Sequence, residues 1–160
     1  MLDDLGLVAA LESLCSDLAE RQPVRIHFES NIDSRHCQPV LATALYRITQ
    51  ESLHNIEKHA GRVREVRVIV LRRRSWVYLE IADDGEGFAW HPDQRREQDG
   101  SGMGLRNIQD RVDLLGGRLT IEAAPGKGVR IRLKVPFQRA SSMTSGERSD
   151  GKVYTRTFGG

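Results

Sequence analysis

Two pairs of strand-like segments, each joined by a short turn, constrain the fold of this chain more than any other feature. The first pair spans residues 64–71 and 76–82, and the second spans residues 118–123 and 129–135. Apolar and polar residues alternate along the first of these segments, which is the pattern of a half-buried strand. Because a short turn can join only antiparallel strands, the two hairpins predict an antiparallel or mixed sheet.

Three amphipathic helices accompany these strands. Apolar residues recur at helical spacing from residue 2 to 20, from about residue 39 to 60 and from residue 103 to 115. One more alternating segment, residues 24–29, precedes the second helix. The order helix, strand, helix, hairpin, helix, hairpin predicts an α+β fold, a two-layer sandwich in which helices cover one face of a mixed, mostly antiparallel sheet.

The composition narrows the class of protein. Of the 160 residues, 39% are hydrophobic, which is enough for one globular domain with a core. The 24 basic and 22 acidic residues nearly balance, so the net charge does not indicate a nucleic-acid binder. Cys15 and Cys37 form no metal-binding or disulfide pattern, and no apolar run could span a bilayer. We therefore expect a cytoplasmic domain that contacts neither nucleic acid nor membrane.

Two glycine clusters, at residues 83–88 and 102–105, lie on either side of a polar segment. This segment follows the first hairpin and precedes the third helix. The carboxylate of Asp83 could accept a hydrogen bond from an exocyclic amine such as that of adenine, and Gly85 and Gly87 let the backbone approach a ligand. The free N–H groups where the third helix begins could bind phosphate. An ordinary Asp-Gly turn and a glycine-rich helix start are the structural alternatives.

A polar stripe on the second helix consists of Glu51, Asn55 and Lys58, at positions i, i+4 and i+7. A carboxylate, an amide oxygen and an ammonium group suit a magnesium phosphate, because Mg²⁺ prefers oxygen ligands and the ammonium attracts phosphate. The alternative is a solvated helix face, on which His59 is an ordinary cation near the helix C-terminus.

Together and in this order, the stripe and the two clusters resemble the ATP-binding domain of sensor histidine kinases, which belongs to the Bergerat group of ATPases. Residues 51–60 look like its N box, residues 83–88 like its first glycine box and residues 102–105 like its second. The resemblance extends from residue 2 to residue 137 and implies the Bergerat ATP-binding fold. Four further stretches are similar to the subfamily that partners nitrate-regulator-type response regulators: residues 2–7, 106–112, 114–117 and 124–128.

The resemblance also implies roles for individual residues. Asn55 would bind Mg²⁺ and Asp83 would recognise adenine, while Glu51 would be the catalytic residue of the N box. Lys58 and His59 would face the phosphates and act with Glu51. The remaining ATP-binding residues would be Gly85, Gly87, Gly102, Met103, Gly104 and Leu105.

Three details of the resemblance concern the surroundings of the site. The polar segment 89–101 is expected to be an ATP lid, because glycines flank it. Asp84 stands where the family often has Asn, and Glu57 is a second departure within the N box. Both carboxylates would add negative charge near the phosphates and tune the affinity for ATP.

The histidine that would accept the phosphoryl group is absent from this pattern. The chain has five histidines, and none of them lies on the first helix or in an acceptor-helix pattern. They are His27, His36, His54, His59 and His91. The chain is therefore expected to bind ATP with Mg²⁺ without phosphorylating itself. It would transfer the γ-phosphoryl group to a histidine on its own dimerisation domain, which would pass it to a cognate response regulator.

The expected organisation is a remnant of a dimerisation-region helix at residues 1–22, the ATP-binding catalytic domain at 23–137 and a disordered tail at 138–160. The chain would be cytoplasmic, either by itself or as part of a membrane-bound sensor. Two other functions stay open. One is a non-enzymatic nucleotide-binding interaction module, favoured by the missing acceptor and by the apolar face of the first helix. The other is a serine kinase of the anti-sigma type.

Overall fold

A computed structural model of the protein describes residues 2–33, 37–59, 61–87, 101–137 and 151–159. Within these residues lie three helices and six strands. In chain order they are α1 Leu2–Arg21, β1 Arg25–Ser30, α2 Pro39–His59, β2 Glu65–Arg73, β3 Trp76–Asp83, α3 Ser101–Leu114, β4 Arg118–Ala123, β5 Val129–Pro136 and β6 Tyr154–Phe158.

The strands form one mixed sheet in the order β4-β5-β3-β2-β1-β6. β1 pairs with β2 in parallel, and every other neighbouring pair is antiparallel. Along β2 the side chains of Val66, Val68 and Val70 are buried, whereas the alternate residues Glu65 and Arg67 are exposed. The sheet therefore has one face in the core and one face in solvent, which confirms the α+β sandwich expected from the hairpins.

The first helix is part of this core. Leu7, Leu11, Cys15 and Leu18 are each at most 1% exposed and belong to the same apolar cluster as the sheet. Each fully buried leucine stabilises the fold by roughly 1.5–3 kcal/mol. The apolar face of α1, which we expected to be open to a partner, is thus covered by the chain itself.

The last described segment corrects the expectation of a disordered tail. β6 pairs antiparallel with β1, with Phe158 opposite Ile26 and Tyr154 opposite Ser30. The prediction is wrong for residues 151–159, while residues 138–150 lie outside the described part of the chain. An unpaired β1 would present open N–H and C=O groups at the sheet edge, and β6 satisfies them.

The start of the third helix near the predicted site also differs from expectation. α3 begins at Ser101, two residues before the periodicity indicated. The glycine pair Gly102 and Gly104 is therefore inside the first helical turn. Residues 88–100, which hold most of the predicted lid and Phe88 of the first glycine cluster, lie outside the described residues.

Across the described ranges, no helix combines the length and hydrophobicity that a membrane span needs.

Candidate nucleotide-binding site

Gly104 brings the start of α3 against the polar stripe of α2. A Cβ atom added at Gly104 would lie 2.5 Å from Oε1 of Glu51, and 3.0 Å and 3.1 Å from Oδ1 and Nδ2 of Asn55. No larger residue could therefore occupy this position without moving the two side chains. The structure thus places the second glycine cluster beside the predicted N box.

The packing of α2 on the core explains why its polar stripe lies at a rim. Ile48 and Ile56 are buried, and Ser52 between them satisfies its hydroxyl group by donating to the Ile48 carbonyl at 2.8 Å. Glu51 and Asn55, on the neighbouring side of the helix, are only partly buried. A partly buried carboxylate and amide can bind a ligand without the large penalty of complete desolvation.

The structure describes the two cations that were predicted to face the phosphates less fully than Glu51 and Asn55. Lys58 is exposed at the end of the same stripe, and the side chain of His59 lies outside the description. No group of three potential metal-ligating His, Cys, Asp or Glu side chains occurs among the described residues. Mg²⁺ is commonly held by one or two protein oxygens together with substrate phosphates and water, so the amide oxygen of Asn55 is a donor that fits it.

Asp83 ends the central strand β3 at the edge of the site. Its Oδ1 accepts a hydrogen bond from the Gly85 N–H at 2.8 Å. Burial raises the pKa of Asp83, the N–H groups of Gly85 and Val129 lower it in part, and the charge of Asp84 raises it further. A carboxyl group whose pKa is raised by burial is a common feature of ligand-binding sites.

The turn between β4 and β5 packs against the first glycine cluster. Gly126 donates its N–H to the Glu86 carbonyl at 2.6 Å. Gly87 has φ of 64°, and a Cβ there would collide with the Ala124 carbonyl. Gly128 has φ of 70°, and a Cβ there would collide with the Asp83 carbonyl. The second hairpin therefore holds the loop after β3 in place.

The first cluster also reaches the end of the N-box helix. A Cβ added at Gly61, where φ is 63°, would lie 2.6 Å and 2.7 Å from the two carboxylate oxygens of Glu86. The loop after β3, the end of α2 and the start of α3 consequently surround one region. Of the other residues expected there, Leu105 packs against the core cluster, and Gly102 and Met103 lie in the first turn of α3.

A family model described as histidine kinase-, DNA gyrase B- and HSP90-like ATPase matches residues 41–139. The chain belongs to this ATPase family. The sensor histidine kinase MctS of Rhizobium johnstonii is 36% identical over 124 residues, which are 78% of this chain and 26% of that protein. The chain therefore spans about a quarter of the length of this relative.

Solved structures share the fold of this ATPase-family domain. The histidine kinase domain of the blue-light activated histidine kinase from Erythrobacter litoralis matches with a TM-score of 0.67 at 21% identity, over 82% of this chain and 61% of that one. A mycobacterial sensor histidine kinase, MprB, matches with a TM-score of 0.61 at 20% identity, over 84% of this chain and 97% of that one. The resemblance to histidine kinase ATP-binding domains is thereby confirmed, while the subfamily stays a prediction.

The two departures from the family pattern have structural partners in this ATPase-family domain. Asp84 accepts hydrogen bonds on Oδ1 from the N–H groups of Arg64 at 2.8 Å and Glu65 at 3.0 Å. The two carboxylate oxygens of Glu57 accept from Nε and Nη2 of Arg21, at 3.0 Å and 3.1 Å. The hydrogen bonds of Asp84 thus link the start of β2 to the end of β3, and the ion pair of Glu57 links α2 to α1. Both carboxylates are thus engaged within the protein, and their effect on the affinity for ATP stays a prediction.

One feature of the ATPase-family domain was missed by the sequence reasoning. A cleft of about 340 Å³ opens between α2 and α3. Its lining residues are Arg47, Gln50, Glu51, Asn107, Ile108 and Arg111. The available signal was the position of Arg47 one helical turn before Glu51, which puts both on the same face of α2.

Proposed function

We propose that this chain is the catalytic and ATP-binding domain of a two-component sensor histidine kinase. It donates the γ-phosphoryl group of Mg-ATP to a histidine on a dimerisation domain outside the described chain. The contact of Gly104 with Glu51 and Asn55 carries this proposal, since it joins the second glycine cluster to the N box. Membership of the ATPase family supports it independently.

Each residue of the site has a distinct part in the proposed reaction. The Asp83 carboxyl group accepts from the adenine amine, and Asn55 supplies an oxygen ligand to Mg²⁺, which offsets the charge of the phosphates. The N–H groups at the start of α3 face the phosphate chain, assisted by Lys58 and His59. Gly85, Gly87, Gly102 and Gly104 allow the backbone to approach the nucleotide.

The transfer breaks the bond between the γ-phosphorus and the oxygen that bridges it to the β-phosphorus. A ring nitrogen of the acceptor histidine forms the new bond to phosphorus, and ADP leaves with the bridging oxygen. The proton that the imidazole ring loses passes to the carboxylate of Glu51. The partly buried position of Glu51 at the rim of the site supports this role.

The wider setting of the domain belongs to the same proposal. The acceptor domain passes the phosphoryl group to a response regulator, and the complete kinase presents this domain in the cytoplasm. Residues 1–22 are a remnant of a dimerisation-region helix that packs on the catalytic domain formed by residues 23–137. Because the chain buries the apolar face of α1 itself, one argument for a non-enzymatic interaction module is removed.

A reconstituted phosphotransfer assay tests the proposal. The domain is mixed with an acceptor-histidine fragment of its own gene and radiolabelled Mg-ATP. We expect phosphate on the fragment that is labile in acid and stable in base, as a phosphoramidate is. ATP binding without any transfer would support the interaction module, and acid-stable phosphate on serine of a partner would support an anti-sigma-type kinase.

A further inference from the structure

The cleft between α2 and α3 carries an excess of positive charge. Arg47 on α2 and Arg111 on α3 contribute two positive charges and Glu51 contributes one negative charge, so the lining has a net charge of +1. Within the described part of the chain, neither guanidinium forms an ion pair with a carboxylate. Because no carboxylate of the described residues pairs with either arginine, the two guanidinium groups are available to bind an anion from outside the protein.

Arg47 is held in the cleft by its own helix. Its Nη1 donates to Oε1 of Gln50 at 2.9 Å, and its guanidinium lies 5.9 Å from the ring centre of Tyr46. This leaves its other N–H donors available to a ligand, because a guanidinium carries five. The planar donor fork of arginine matches the oxygens of a phosphate group, so an anion between the helices could be bound from both walls.

The cleft adjoins the proposed nucleotide site through Glu51. This residue lines the cleft and also lies against Gly104. Along α2, Asn55, Glu51 and Arg47 follow one another at single-turn spacing on one face. A nucleotide with its base at Asp83 and its bound metal at Asn55 would therefore extend its phosphate chain toward Glu51, and the last phosphate would come nearest to the cleft.

We propose that Arg47 and Arg111 form an anion subsite for the terminal phosphate of the bound nucleoside triphosphate. The inference rests on the proposed function and adds to it two residues that distinguish the triphosphate from the diphosphate. Lys58 lies on the opposite side of Asn55 along α2. It is expected to act on triphosphate and diphosphate alike, whereas the arginine pair acts on the triphosphate alone.

Calorimetric titration of the complete chain with two probes tests the subsite. The probes are Mg-ADP and the non-hydrolysable Mg-AMPPNP, and the variants are Arg47→Ala, Arg111→Ala and the double variant. We expect each single variant to weaken AMPPNP binding about 5- to 10-fold, since a charge-assisted hydrogen bond is lost. Binding of Mg-ADP should stay within about twofold of the wild type, and Arg47→Lys should recover part of the loss.

Arg67→Ala is the matched control, because Arg67 is an exposed arginine on the solvent face of β2. It should leave both affinities unchanged. Equal losses for ADP and AMPPNP in the cleft variants would overturn the subsite, as would an unchanged AMPPNP affinity. Arg47 and Arg111 are themselves exposed, so their replacement should leave the thermal unfolding midpoint close to that of the wild type.

The two proposals fail in different ways in this experiment. A wild-type chain that binds neither probe overturns the proposed function, and the subsite falls with it. A wild-type chain that binds both probes in a Mg²⁺-dependent way, with cleft variants that keep its preference for AMPPNP over ADP, overturns the subsite alone.

Discussion

The carboxylate of Glu51 lies so close to Gly104 that a Cβ atom there would come within 2.5 Å of its Oε1 atom. Gly104→Ala should therefore separate folding from binding. Alanine is favoured over glycine inside a helix by about 0.5–1 kcal/mol, so the free energy of unfolding should fall little or even rise. Nucleotide affinity should drop about tenfold or more, because Glu51 and Asn55 must move to admit the methyl group.

Calorimetry with Mg-ADP and urea unfolding measure the two effects of Gly104→Ala. The double variant Gly104→Ala with Glu51→Ala is the control, because it removes the oxygen that the methyl group would meet. It should bind Mg-ADP more tightly than Gly104→Ala alone. A single variant with normal affinity would show that the close approach of α3 to α2 has no bearing on the nucleotide.

Asn55 is the proposed oxygen ligand of Mg²⁺, so its replacement should act through the metal. We expect Asn55→Ala to abolish the gain in nucleotide affinity that Mg²⁺ gives, while binding in the presence of a chelator changes little. The measurement is calorimetric titration of ADP with Mg²⁺ and with EDTA. His54→Ala, at the exposed neighbouring position, is the control and should keep the metal dependence. An Asn55→Ala variant that keeps it too would exclude the metal role.

The ion pair of Arg21 with Glu57 should affect stability and leave nucleotide binding alone. Both side chains are partly solvated, at 56% and 29% exposure, so the coupling should be between about 0.2 and 1 kcal/mol. A double-mutant cycle of Arg21→Ala and Glu57→Ala by urea unfolding measures it. A clear rise in ATP affinity in Glu57→Ala would instead mean that this charge lies near the phosphates and lowers the affinity.

The sequence alone predicted the sheet and indicated the candidate nucleotide site because the signals of both are local. The alternation through Val66 and Val68 and the glycines after Asp83 can be read within a few residues. β6 was missed because four of its five residues are exposed, so it shows no apolar alternation. Contacts between residues far apart in the chain could not be predicted from the sequence either. The partners of Asp84 and Glu57 are 20 and 36 positions away, and only the packing of α3 on α2 creates the arginine cleft.

Asp83 should give the domain a distinctive dependence of stability on pH. Its pKa is raised above the ordinary 3.8 mainly by burial, so the folded state binds the proton more tightly than the unfolded state. The contribution of this group to the free energy of unfolding therefore falls as the pH rises from below 3.8 through its raised pKa. Asp83→Asn lacks this change, and its stability should rise relative to the wild type across that window.

Unfolding by urea at a series of pH values from about 3 to 7 measures the difference between the wild type and Asp83→Asn, in which the contributions of all other carboxyl groups cancel to first order. The same variant should lose nucleotide affinity if Asp83 recognises adenine. A difference in stability that stays constant with pH would mean that the Asp83 carboxyl group is not perturbed by folding.

The neighbouring Asp84 should affect stability and leave nucleotide binding alone. Its carboxylate accepts from the N–H groups of Arg64 and Glu65, so Asp84→Ala leaves two backbone donors without this partner. We expect a loss of about 1–2 kcal/mol in the free energy of unfolding, limited by the access of water to this exposed position. Asp84→Asn keeps an acceptor oxygen and should lose less. Since the carboxylate is engaged at the start of β2, the Mg-ATP affinity of either folded variant should stay within about twofold of the wild type. A large gain in affinity for Asp84→Asn would instead mean that its negative charge reaches the phosphates.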